Sequence, residues 1–236
     1  MKLFSLDTSA KSSLPIKNKI PTLSLAEQAY LALKKMVLLH EISAGDQLNL
    51  IELSDRLQLG RTPLHMAIHR LAAEGLLEIV PRKGIFVREE TLGSFHELLA
   101  ARLLIEPYLA RMAAINSPPG LIKRLEDVVM QAKNYDFAGD RQGSMLADRL
   151  FHQTMYAAAN NSMLATFAST LLDRSMRLWY QPLSSSASKH HKANSLELQA
   201  MLDVFKQGQA EAVESSMRHH IETVRKKYLD FLIQSK

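Results

Sequence analysis

The sequence predicts a mainly α-helical protein in two parts. The first is an N-terminal winged helix-turn-helix with a small β-hairpin wing (residues 23–90), and the second an all-α antiparallel helical bundle (residues 91–236). Three observations carry this. Two short apolar-periodic stretches meet at a Gly-containing turn within residues 49–75. Two short extended runs then flank Pro81-Arg-Lys-Gly84. Beyond residue 91 the strand signal vanishes while helical periodicity continues. Residues 1–22, rich in Lys and Ser, read as a flexible basic tail.

In chain order, Leu25, Ala29, Ala32, Leu33, Met36 and Val37 fall at helical spacing, with a stop expected at Ser43-Ala-Gly45-Asp46. Asn49 with Glu52 three residues on starts a second, short helix, whose apolar side is Leu50, Leu53 and Leu57 and whose end is expected at Gly60. Thr62 is positioned to cap the third helix and Pro63 to occupy its first helical position. Leu64, Ile68, Leu71 and Ala72 share one face of that helix, Arg61, Thr62, His65 and His69 lie at the tip or opposite, and Gly75 stops it. A helix dry on one side and basic at its N-terminal end has the shape of a DNA recognition helix, although alone it equally describes a surface helix. The runs Leu76 to Val80 and Ile85 to Val87 complete a wing with a basic tip, and this order of elements is more specific than any one of them.

The second part reads as six helices. Ser94 and Glu97 have capping-box spacing for a helix to about Asn116, and Pro118-Pro119-Gly120 breaks the chain. The next helix carries Leu121, Leu125, Val128 and Ala132, and a loop is expected over Asp136 to Gly143. Four more helices follow near 144–159, 162–181, 193–207 and 209–233, with breaks at Gln181 to Ser188 and Gly208.

Composition narrows the function classes. With no cysteine, disulfides and thiolate metal sites are excluded. No apolar run reaches membrane-spanning length and no secretion signal opens the chain, so a cytoplasmic location is expected. The net charge of +5 is compatible with a polyanionic partner, and the basic excess leans toward the N-terminal third: Lys2, Lys11, Lys17 and Lys19, then Arg82, Lys83 and Arg88.

The N-terminal part resembles the DNA-binding domain of the GntR family of bacterial transcription regulators. The resemblance rests on Arg61, Thr62, Pro63, Ala67, Arg70, Leu71, Glu74, Gly75, Leu76, Gly84 and Val87. The helical part resembles the effector domain of the FadR subfamily, through Arg102-x-x-x-Glu106, Asp148-x-x-Phe151-His152, Asn161, Gly208 and His220. Three positions depart from the pattern. Gly60 replaces a hydroxyl residue, His65-Met66 an Arg-Glu pair, and Leu198 a histidine.

The resemblance implies that Arg61, Thr62 and His65 approach base edges or phosphates of double-stranded operator DNA, with Arg82, Lys83 and Gly84 of the wing at the adjacent groove. Arg61 offers a bidentate fork suited to guanine, and Met66 is expected to pack. It further implies a homodimer whose helical part binds a small organic acid, with Arg102 and Glu106, and more distantly Arg174 and Arg177, as effector-binding residues. Arg102 lies on the apolar stripe of Phe95, Leu98, Glu106, Leu109 and Ala113, so it needs a partner: either Glu106, as an intrahelical pair, or an effector carboxylate. Asp148 and His152 share a helix face, and His220 is in line with Val213, Met217 and Val224, hence inward, while His219 points elsewhere. This donor set suits zinc, nickel or manganese. Leu198 removes the fourth ligand found in relatives with the full set, and a metal-free Asp–His cluster is the alternative. Asn161 is expected to cap the helix after it, Trp179, Tyr180 and Tyr156 to sit in the core or line the pocket, and His190 and His191 to be solvated.

The function expected is therefore a ligand-responsive DNA-binding regulator, of the repressor kind, and not an enzyme. Two rivals are carried. One is a metal-dependent enzyme built on Asp148, His152 and His220, for which no general base or oxyanion arrangement is visible. The other is an acyl-ligand or metabolite sensor with a metal-free pocket and weakened DNA binding, motivated by His65 and Ile51 where relatives carry Arg.

Overall fold

The computed structural model describes residues 23–185 and 191–234. Helices α1 (Leu25–Leu38), α2 (Leu50–Leu57) and α3 (Arg61–Ala73) and the hairpin of β1 (Leu77–Val80) and β2 (Gly84–Val87) form the N-terminal part. Helices α4 (Leu92–Asn116), α5 (Leu121–Ala138), α6 (Arg141–Ala158), α7 (Ser162–Ser185), α8 (His191–Gln207) and α9 (Ala210–Gln234) form the bundle. Among the described residues no helix is long and apolar enough to cross a membrane.

The winged-helix core follows the apolar spacing. Leu33 and Val37 of α1 meet Leu64, Ala67, Ile68 and Leu71 of α3, and Leu53, Leu76, Leu77 and Val87 close the cluster. Leu25 is the exception and stays exposed. The Asn49 carboxamide accepts from the Ile51 and Glu52 amides as expected, but α2 ends on Gln58 in the left-handed region rather than on Gly60. Helix α1 stops at Leu38, ahead of the expected turn, with His40 at positive φ and Gly45 following. At the end of α3 the Gly75 amide donates to the Ala72 carbonyl (3.0 Å) and the Leu76 amide to that of Leu71 (2.9 Å), a turn for which the positive φ of Gly75 is suited. The strands pair antiparallel, Leu77 with Val87 through Val80 with Gly84, and the segment before α2 bridges onto the hairpin at Gln47 and Phe86, a pairing the apolar pattern did not announce.

In the bundle, α4 packs against α9, α7 and α6, and α5 against α6 and α8. The start of α4 differs from expectation. Thr91, not Ser94, is the cap, and its hydroxyl and that of Ser94 exchange bonds with each other's backbone amides. The Asp136–Gly143 loop shrinks to Gly139 and Asp140, because Asp140 caps α6 by accepting from the Gly143 amide. Asn161 does cap α7, accepting from the Leu164 amide at 3.0 Å. Helix α7 continues past Gln181 to Ser185; the rest of that expected break, His190, the side chains of Trp179, Tyr180 and His191, and the basic tail lie outside what is described.

Candidate functional site

Helix α3 presents its N-terminal end outward. Arg61, Thr62, His65 and His69 are all exposed, as is Met66, which does not pack as expected because it points away from the α1 contact. The expected Thr62 cap is absent. The helix starts two residues earlier, with Gly60 at the cap position and Pro63 third in the helix rather than first, and no side chain bonds the first-turn amides. That leaves the positive end of the helix dipole and its first-turn N–H groups beside Arg61. Arg70 is exposed as well but engaged by α1: its guanidinium lies over the Tyr30 ring at 3.5 Å and donates to Glu27 at 2.8 Å.

The wing tip carries exposed Arg82 and Lys83. Gly84 adopts φ of +131°, a value that L side chains rarely reach, and a Cβ there would overlap the Gln47 carboxamide, which donates to the Lys83 carbonyl at 3.0 Å. Its position thus has a structural cause within the wing. Gly84→Ala is expected to cost the hairpin about 1–3 kcal/mol, read as faster amide exchange over Leu77–Val80; unchanged exchange would contradict the contact with Gln47.

Inside the bundle the apolar stripe of α4 carries Arg102 and Glu106, both essentially fully buried. Arg102 Nε and Nη2 engage both Glu106 oxygens, and Nη1 donates to Ser175 Oγ of α7 at 2.9 Å. Burial alone would raise the Glu106 carboxyl, but the Arg102 charge and the His152 ring overcome it and hold the carboxyl well below the usual range. The intrahelical pair is therefore present, and it extends sideways. Glu106 Oε2 lies 3.1 Å from His152 Nδ1, which also faces the Tyr156 hydroxyl at 3.3 Å. His152 Nε2 faces His220 Nε2 across 3.4 Å, and Asp148 joins them with ligand atoms within 4.8 Å of one another. On the far side His220 Nδ1 lies 3.3 Å from Glu197 Oε2, and Glu197 is in turn paired with Lys227. Asp148 and His152 share a face and His220 turns inward as the periodicity requires, the three stand together as the resemblance implied, and His219 faces outward. Leu198 is fully buried in the stripe with Met201, Leu202 and Phe205 and offers no ligand atom.

The donor set fits a divalent metal. Two imidazole nitrogens bound to a tetrahedral ion at about 2.0–2.1 Å each stand roughly 3.3–3.4 Å apart. The Nε2 separation of 3.4 Å matches this without adjustment. Asp148 adds an anionic oxygen, so three protein ligands are available.

Arg174 and Arg177 stand elsewhere than expected. Arg174 pairs with Glu90 through Nε (2.7 Å) and Nη2 (3.0 Å), and its side chain lies under Gly75. Arg177 donates from Nη1 to the Arg88 carbonyl at 2.7 Å, and its own carbonyl accepts from His40 Nε2 at 2.8 Å. Burial lowers the Arg177 guanidinium to about 10, with Glu90 acting in the opposite sense. Both arginines thus face the seam between the two parts rather than the Arg102 cluster. Asp173, fully buried on the same helix, accepts from Lys34 of α1 (2.6 Å) and from Arg149 of α6 (2.5 Å). These seam groups escaped the sequence reading. The available signal was Lys34 set among Tyr30, Leu33, Met36 and Val37, a cation on an apolar face that needs a partner.

A winged helix with an exposed basic recognition helix, joined through a buried ionic seam to a helical domain with a charged interior, defines a ligand-responsive type of DNA-binding protein. Residues 25–87 match the bacterial regulatory proteins of the gntR family, and residues 97–223 match the FCD domain. The chain belongs to the GntR family, with an FCD effector domain, and is a transcription regulator. An uncharacterised HTH-type transcriptional regulator of Agrobacterium vitis, from the TAR-I ttuE-ttuC' intergenic region, is 30% identical to it over 56% of this chain and 78% of its own length. The HTH-type transcriptional repressor RspR of Escherichia coli (strain K12) is 25% identical over 86% of this chain and 89% of its own. The solved structure of E. coli McbR/YncC superposes with a TM-score of 0.81 at 18% identity, over 89% of this chain and 99% of that one. These relatives are regulators and not enzymes, which removes the metal-dependent enzyme as a rival.

Proposed function

We propose that this protein is a cytoplasmic, homodimeric repressor that binds a two-fold symmetric operator and is controlled by a small organic acid, with a divalent metal held by Asp148, His152 and His220. The observation that carries the DNA reading is the joint exposure of Arg61, Thr62 and His65 on α3 with Arg82 and Lys83 on the wing. A dimer is supported by the outward stripe of α4, where Leu104 (80% exposed), Tyr108 and Ile115 follow one another at helical spacing without cover. A second copy on that stripe would present two recognition helices to two half-sites. The repressor sense is supported by the similarity to RspR, a transcriptional repressor.

For the effector, the Arg102 cluster supports an anion that enters beside the metal position, with the metal supplying a Lewis-acidic anchor for a carboxylate. Arg102 is already engaged by Glu106 and Ser175, so its contact with an effector would come at the expense of Ser175, on the same helix that holds Asp173, Arg174 and Arg177. That shared helix supports a coupling route. A shift at Ser175 is passed within one turn to the groups that hold the winged helix.

The test is fluorescence anisotropy on the DNA upstream of the chain's own gene. Arg61→Ala is expected to weaken operator binding by about 5- to 150-fold. Replacing Arg82 and Lys83 together with Ala should lower the salt slope by roughly 1–2 while weakening all sequences alike. Operator binding indifferent to Arg61 and to salt would overturn the interface and favour the sensor with weakened DNA binding.

A further inference from the structure

The metal reading leaves one feature of the cluster without a role. The two histidines stand at the centre of a linear array: Arg102, Glu106, His152, His220, Glu197 and Lys227. Each imidazole turns Nδ1 outward to a carboxylate and Nε2 inward to the other ring. Each carboxylate is held from behind by a cation, Glu106 by Arg102 and Glu197 by Lys227. With each Nδ1 turned to a carboxylate, the two Nε2 atoms are left facing one another across 3.4 Å, the separation that two imidazole ligands of one tetrahedral ion take.

We infer that Glu106 and Glu197 are positioning residues for the metal, standing 3.1 Å and 3.3 Å respectively from the Nδ1 of one histidine each, so that both Nε2 atoms aim at a common point. This rests on the metal reading given above. The two carboxylates come from different helices, α4 and α8, and neither belongs to the ligand set itself. Glu197 immediately precedes Leu198, so the turn of α8 that has no ligand to offer still contributes through its neighbour. Outer carboxylates of this kind raise the basicity of the ligand nitrogen and fix its ring angle, and their loss weakens metal binding by about 10- to 100-fold. Two of them stiffen a site that has only three protein ligands.

Replacing Glu106 would destabilise the bundle along with any effect on metal, so the test falls on the less buried Glu197. The full-length chain is stripped with a chelator, and zinc affinity is measured by competition with a chromophoric chelator. Glu197→Ala is expected to bind zinc about 10- to 100-fold more weakly than the unaltered chain, with the metal-free melting temperature little changed. Glu197→Gln keeps a neutral acceptor at Nδ1 and should recover part of the loss. Lys227→Met breaks the same ion pair but leaves the carboxylate, and should stay within about threefold of the unaltered chain. Equal zinc affinity of Glu197→Ala and the unaltered chain overturns the inference and leaves the metal reading standing. So does an equal loss in Lys227→Met and Glu197→Ala, which would mark a purely structural ion pair. An unaltered chain that binds no zinc, nickel or manganese overturns the metal reading and the inference together.

Discussion

Glu106→Ala is expected to destabilise the bundle by about 3–5 kcal/mol, the cost of leaving a buried charge without its partner. Arg102 would keep only Ser175 as a bonding partner, at 2% exposure, and His152 Nδ1 would keep only the Tyr156 hydroxyl. At roughly 2–4 °C per kcal/mol for a domain of this size, the melting temperature falls on the order of 10 °C. Replacing both partners together, Arg102→Met with Glu106→Leu, should recover much of the loss, because the desolvation cost of the pair disappears with the pair. A single-variant loss below about 1 kcal/mol in a calorimetric scan would show that water reaches the pair.

The same carboxylate sets an acid limb. Its folded-state ionisation lies below the ordinary value of 4.5, because Arg102 and His152 outweigh the burial that would raise it. A depressed carboxyl contributes stability that is present above the unfolded value and lost as pH falls through the folded one. Stability of the unaltered chain is therefore expected to decline below about pH 4.5, and Glu106→Gln to show a flatter acid limb.

The second large effect is at the seam. Asp173→Asn keeps the shape of a fully buried side chain but removes the charge that faces Lys34 and Arg149. Lys34 retains Glu74 at 2.7 Å and Arg149 retains Gln153, so the loss belongs at the lower end for a buried pair, about 3 kcal/mol. Hydrogen exchange should speed up selectively over α1 and residues 88–91, where Arg174 and Arg177 also hold the winged helix, while the α5 and α6 core stays protected. Exchange that rises evenly through the chain would mean that Asp173 supports the bundle rather than the seam. Operator affinity of this variant is expected to respond less to effector, since the helix that links the two parts has lost one of its holds.

Much of this molecule was legible in its residues. Helical periodicity names inward faces, and Leu64, Ile68 and Leu71 in α3, Phe95 and Leu98 in α4, and Val213 and Met217 in α9 are all buried as it requires. The same rule placed Asp148 with His152 and turned His220 inward. Caps were read less well, because hydroxyls stood three residues apart in overlapping frames. Thr91 with Ser94 and Ser94 with Glu97 both satisfy the spacing, and only the chain's direction of entry into α4 selects the first. At α3 the chain is already helical at Thr62, because the extended cap position falls two residues earlier, on Gly60, which has no hydroxyl to offer.

The order of elements, the buried face of each helix, the exposed basic end of α3 and the shared face of Asp148 and His152 are all readable from the residues. These depend on neighbours within a turn or two along the chain. Beyond the intrahelical Arg102–Glu106 pair, which buried polar group meets which across helices is settled only by the packing. Arg102 finds Ser175, 73 residues away, and His152 finds His220, 68 residues away. Arg174 and Arg177, equally polar and on the same helix as Ser175, turn instead to the winged helix. A periodic pattern states that a cation faces inward but not the address of its counter-charge. That address is set by how two helices lie against each other, and here it divides α7 between the effector cluster and the seam.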